Sequence, residues 1–168
     1  IDITLWLDNA TPIAVVPFEW RGAGKEPLRF SEIISSNLQR SGQFAPMAEK
    51  DMTELPHEGR EVNYASWRNR TMKYLVVGKL QLQGADNYQV QFQLLDVEKG
   101  SQVTGHSFQA RENQLRRLAH HISDLIFEAI TGKRGAFDTH LAYITVNRDK
   151  QGKALYQLAI ADSDGYNE

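Results

Sequence analysis

Pro12-Ile13-Ala14-Val15-Val16-Pro17-Phe18-Glu19-Trp20 is the stretch whose reading decides the fold. Its four residues between the prolines are all apolar, and Ile13, Val15 and Val16 are β-branched. An unbroken apolar run predicts a strand buried on both faces, because a half-exposed strand alternates. The prolines stand at its ends, where a missing N–H does least harm to a sheet ladder. The expectation is a central strand covered by helices.

Upstream, Ile1 to Asp8 does alternate. Ile1, Ile3, Leu5 and Leu7 fall on one side; Asp2, Thr4, Trp6 and Asp8 fall on the other. Period two predicts an edge or half-buried strand. Such a strand is either the first of the sheet or a segment able to pair with another chain. Asp8-Asn9-Ala10-Thr11 connects it to the core run.

Downstream, Phe30, Ile33, Ile34 and Leu38 recur at helical spacing, and Gly42 suits a left-handed helix end. A helix is predicted over about Leu28 to Ser41. Gln43 to Glu61 is mixed, with Phe44 and Met47 inward and Pro46, Pro56 and Gly59 in loops. Asn63 suits the N-cap of a short helix at Tyr64–Arg70 anchored by Trp67. Tyr74 to Gly78, continuing to Leu82, then Tyr88 to Val97, then Val103 to Ala110, form a predicted meander joined by turns. Asn113 opens a long helix whose stripe is Leu115, Leu118, Ala119, Ile122, Ile126, Ala129 and Ile130, ending at Gly132. Gly132 to Ala136 reads as a linker. Beyond it, Leu141–Val146 and Tyr156–Asp162 form a lone hairpin, which is marginal by itself in water.

Composition narrows the function. The chain has 168 residues, 19 basic against 21 acidic, a net charge of −2. That balance argues against a dedicated nucleic-acid or anionic-membrane surface. No cysteine is present, so disulfides, thiolate zinc sites and a cysteine nucleophile are excluded. No apolar run reaches the ~20 residues of a membrane span. Residue 1 is Ile, which reads as a processed or trimmed chain and leaves the compartment open.

Motifs for chemistry are weak. Arg21 to Pro27 has two glycines but neither a P-loop nor a dinucleotide pattern. His120 and Asp124 stand four apart with His121 between them, a spacing that suits a metal or a small hydrolase site. No His-Glu-x-x-His pattern surrounds them, and a solvated flank of the helix is the favoured reading. His57, His106 and His140 are isolated. Asp162-Ser163-Asp164-Gly165 looks like part of a calcium loop but lacks the remaining ligands, and is read as a turn. Arg111, Arg116, Arg117 and Arg134, with Tyr64, Trp67 and Tyr74 as aromatic neighbours, offer an alternative reading as a nucleic-acid-binding module.

Pro12 to Phe18 resembles the signature near the amino end of the TolB family, envelope proteins of the Tol-Pal system in Gram-negative bacteria. Ser41-Gly42-Gln43-Phe44-Ala45-Pro46 is similar to the family motif after its first helix. Further agreement lies at Trp67, Tyr74 to Gly78, Tyr88 to Asp96 and His120 to Gly132. It continues through Gly135-Ala136-Phe137 and Ala142-Tyr143-Ile144 to Asp162-Ser163-Asp164-Gly165-Tyr166-Asn167. Trp6 and Leu7 depart from the best-known members.

The resemblance implies a mixed α/β domain over residues 1–132, its sheet flanked by two main helices and similar to anticodon-binding domains of some tRNA synthetases. It implies that residues 137–168 are the opening strands of an incomplete six-bladed β-propeller. It implies no enzyme, no catalytic residue, no metal and no cofactor. The implied role is that of a periplasmic interaction protein linking inner-membrane TolA to outer-membrane Pal, in envelope integrity and cell division. Pal and competing colicins bind the propeller. TolA binds the amino-terminal segment, which here is Ile1, Asp2, Ile3, Thr4, Leu5, Trp6, Leu7 and Asp8.

Overall fold

The computed structural model describes residues 10–168. The segment Ile1–Asp8, expected to pair with a partner, lies outside the described residues.

The core run forms β1 (Thr11–Val15), with Ile13, Ala14 and Val16 wholly buried. It sits between two parallel neighbours, β3 (Phe44–Pro46) and β4 (Tyr74–Leu82). The expected single strand to Trp20 is interrupted. A second piece, β2 (Glu19–Arg21), resumes pairing with the same β4. Val15 lies opposite Val76 and Glu19 opposite Lys79, so one extra residue is absorbed around Pro17. Proline has no N–H for the ladder, and an inserted residue reverses which side chains face which side. Ile13, Val15 and Trp20 therefore share one face although their parity differs. Val16 still donates its N–H to the Val76 carbonyl at 2.9 Å before the ladder breaks.

β4, β5 (Asn87–Asp96) and β6 (Ser101–Arg111) form the predicted antiparallel meander, giving the order β3-β1-β4-β5-β6 with β2 beside β4. β3 was not distinguished in the sequence: three residues are too few to show a period.

Two helices cover one face. α1 (Phe30–Arg40) and, after α2 below, α3 (Leu115–Thr131) bury Phe30, Ile34, Leu38, Leu115, Ala119, Ile122 and Ile126 against Val76, Leu80, Val90 and Leu94. Both end as predicted, on left-handed Gly42 (φ 71°) and Gly132 (φ 70°). On the opposite face α2 (Tyr64–Asn69), whose Asn63 side chain accepts from the Ser66 N–H, seats Trp67 with Ala14, Val16, Leu75, Val77, Leu95 and Val97. Gly78 leaves room for Phe18. A Cβ there would come within 2.6 Å of the Phe18 ring and of the Gln91 carbonyl. Phe18 in turn stacks on Phe30 at 5.5 Å between ring centroids.

The chain ends in a separate two-stranded sheet, β7 (His140–Arg148) and β8 (Ala154–Asp162). Ala142, Ile144 and Val146 lie opposite Ile160, Leu158 and Tyr156 on one hairpin face. Leu158 is 73% exposed and Ile144 65%.

Candidate functional site

The polar chemistry of the described chain gathers where α3 meets the turn after β8. The expected apolar stripe of α3 is present, but a second stripe runs beside it: Arg116, His120, Ser123 and Phe127, at helical spacing. It faces α1 and the turn. His120 is therefore not on a solvated flank, as its sequence position suggested, but only 2% exposed.

Asn37 of α1 organises the buried side of this junction. Its Nδ2 donates to Ser123 Oγ at 2.8 Å and lies 2.9 Å from His120 Nδ1, while its Oδ1 accepts from Arg40 Nη2 at 2.6 Å. The Ser123 hydroxyl in turn donates a hydrogen bond to the Ala119 carbonyl. These partners orient the amide, so His120 Nδ1 accepts from it and the neutral ring carries its proton on Nε2. That Nε2 is buried, lies 3.6 Å from Asp164 Oδ2 and, among the described residues, has no hydrogen-bond partner within normal range.

The other side is ionic. Arg116 donates to the Asp164 carboxylate, approaches Asp162 Oδ2 at 3.7 Å and lies 3.8 Å over the Tyr166 ring. Asp164 Oδ1 accepts from the Tyr166 N–H at 3.1 Å, and Asp162 Oδ2 from Asn167 Nδ2 at 2.7 Å. Burial pushes the Asp164 carboxyl up, but the Tyr166 N–H, Arg116 and His120 outweigh it and hold its pKa below the ordinary value. Burial lowers the His120 pKa, and Asp164 only partly offsets this. His120, Asp162 and Asp164 approach one another like cation ligands. Arg116 already supplies the cation between the two carboxylates.

His120, His121 and Asp124, the lesser candidate for a metal or hydrolase site, do not form one site. The His121 ring stands edge-on to Phe108 at 5.8 Å. Asp124 caps the linker, accepting the N–H of Phe137 at 2.8 Å and of Asp138 at 3.0 Å. His106 packs on Phe108, and His140 approaches Asp162 at 3.7 Å. The Arg strip is also dispersed: Arg116 holds the turn and Arg117 pairs with Asp138. Trp67, at 1% exposure, offers no stacking platform. On the far sheet face a groove of about 470 Å³ lies beside Gln91, Gln93 and Gln102. Its buried Lys79 is neutralised by Glu58.

Sequence reading missed Asn37 and the Arg116–Asp164 pair. One signal was present: Asn37 occupies a position between Ile34 and Leu38 on the apolar face of α1, where an unpaired amide is costly.

These features define a class: a helix-backed mixed α/β domain, its carboxy-terminal hairpin latched by a buried polar cluster. The model of the TolB amino-terminal domain matches residues 1–103, and the chain belongs to the TolB family. It is 48% identical over 168 residues to the Tol-Pal system protein TolB of Thioalkalivibrio sulfidiphilus and 42% identical over 167 to that of Nitrosococcus oceani. Each match covers 99% of this chain and 38% of the relative, so the chain spans about two-fifths of their length. The crystal structure of TolB from Acinetobacter baumannii superposes with a TM-score of 0.76 at 31% identity, covering 93% of this chain and 37% of that one. Among the described residues, no helix is long and apolar enough to cross a membrane.

Proposed function

We propose that this chain is the amino-terminal part of a periplasmic, non-enzymatic adaptor of the Tol-Pal system, linking inner-membrane TolA to outer-membrane Pal in envelope integrity and cell division. The observation that carries this reading is family membership, with likeness to Tol-Pal relatives extending over nearly the whole chain. Residues 1–132 are the amino-terminal domain in this reading, with Ile1–Asp8 as the strand offered to TolA. The parallel pairing of β1 with β3 begins immediately after it, where the Thr11 N–H donates to the Gln43 carbonyl at 2.8 Å.

Residues 137–168 are the opening strands of the propeller, whose remainder would receive Pal and colicins. The exposed apolar face of the β7–β8 hairpin supports this, because it matches a surface meant to be covered. The likeness to anticodon-binding domains is an analogy of fold and carries no nucleic-acid role.

The test is deletion of residues 1–8. Binding to a TolA carboxy-terminal domain should disappear while the thermal midpoint is unchanged. Unchanged binding would refute the assignment of this segment.

A further inference from the structure

Buried histidines with one nitrogen engaged and the other idle are unusual, since an unpartnered buried polar atom costs stability. His120 is such a residue. Its Nδ1 is engaged by α1 through Asn37, and its Nε2 faces Asp164 of the turn without reaching it. The ring thus sits between two structural elements and bonds only one.

We propose that His120 is a proton-operated joint: neutral, it ties α3 to α1 through Asn37; protonated, it releases Asn37 and closes on Asp164. Proton uptake occurs at Nδ1, which then donates. Asn37 Nδ2 is also a donor, so the two N–H groups oppose each other. Turning the amide over offers Oδ1 to His120 but sets Nδ2 against Arg40, which has only donors. It also removes the donor to Ser123 Oγ. The Asn37 contact must therefore open. On the other side, the ring gains a positive charge beside the Asp164 carboxylate, which shortens that contact.

The charged groups facing the ring are Asp162 from the end of β8, Asp164 from the turn, Arg116 from α3 and Arg40 from α1. His140 of β7 faces Asp162 from outside. The two arginines and burial favour the neutral ring, and the two aspartates favour the charged one. The balance places the change on the acid side of the ordinary histidine range. The joint is thus set for tight helix pairing near neutrality and for a tighter turn under mild acid.

The experiment is nitrogen-detected NMR of the histidine rings in the 168-residue chain, with hydrogen exchange read at α1 and at the turn. At pH 7.5 the proton should be on Nε2. On acidification, exchange should quicken at the last turn of α1 but not at Asp164–Tyr166. Asn37→Asp places an acceptor opposite Nδ1 and should raise the His120 titration by about one pKa unit. His120→Gln, which is always neutral, should remove the pH dependence at α1. A proton on Nδ1 at pH 7.5 would overturn the proposal, even if both variants fail to fold. So would a His120 titration that Asn37→Asp leaves unmoved, or equal loss of protection at α1 and at the turn.

Discussion

The Arg116 guanidinium lies 3.8 Å over the Tyr166 ring while its Nη2 donates to the carboxylate of Asp164. One side chain of α3 thereby binds the turn through both charge and aromatic stacking. Its side chain is 22% exposed and that of Asp164 17%, so solvent screening is limited. Arg116→Ala is expected to lower stability by about 2 kcal/mol through the lost charged hydrogen bond to Asp164. It should also quicken amide exchange at Asp164–Tyr166. Arg116→Lys keeps the charge but not the planar group over the Tyr166 ring, and should restore only part of the protection.

Gly78 tests the packing of the interrupted strand. Gly78→Ala sets a Cβ into the Phe18 ring and against the Gln91 carbonyl. The ring is held by Phe30, and the carbonyl belongs to the central β4–β5 ladder, so neither side yields easily. Overpacking of this kind costs about 1–3 kcal/mol. Urea unfolding should show a lower midpoint at unchanged slope.

The linker has a corresponding lock. A Cβ on Gly135 would come within 2.1 Å of Asp124 Oδ1, which receives the Phe137 N–H. Gly135→Ala should expel the carboxylate and free the linker, and limited proteolysis near Ala136 should accelerate. Asp124→Asn keeps the shape but offers one acceptor to two N–H groups, so it should produce a smaller acceleration in the same place.

Stability should fall with acid in two stages. His120 has a folded pKa below its ordinary value, so the unfolded chain takes up that proton first as pH drops below about 6.5. Its contribution is full above that point and declines toward the lowered folded value. Asp164 is also lowered, so its contribution is full above its ordinary 3.8 and is lost as pH falls from there through the folded pKa. Denaturant unfolding at pH 7.5, 5.5 and 3.5 checks both stages. His120→Gln should flatten the first and shrink the second, since His120 is one of the groups that hold the Asp164 carboxyl down.

Pattern revealed most of the elements, because Val90, Phe92 and Leu94 alternate while Ile122 and Ile126 recur every turn. The break at Pro17 was less visible: the apolar run continues through Phe18, and only pairing with β4 shows the extra residue. The junction was hidden for a different reason. Asn37 and His120 are 83 positions apart, and Arg116 and Asp164 are 48 apart. Local periodicity cannot show that these side chains meet. The Asp162–Gly165 segment was read as a turn, but the sequence did not indicate that an arginine would hold it.

Proline substitution tests the proposed addition of Ile1–Asp8 as a strand to TolA. Proline removes a backbone donor, and in adjacent residues of a strand the N–H groups point to opposite edges. Titration calorimetry of a TolA carboxy-terminal domain against Thr4→Pro and Leu5→Pro should therefore show at least one of them weakened about tenfold or more, a loss near 1.4 kcal/mol. The unfolding midpoint should not change in either. Wild-type affinity in both variants would contradict strand addition.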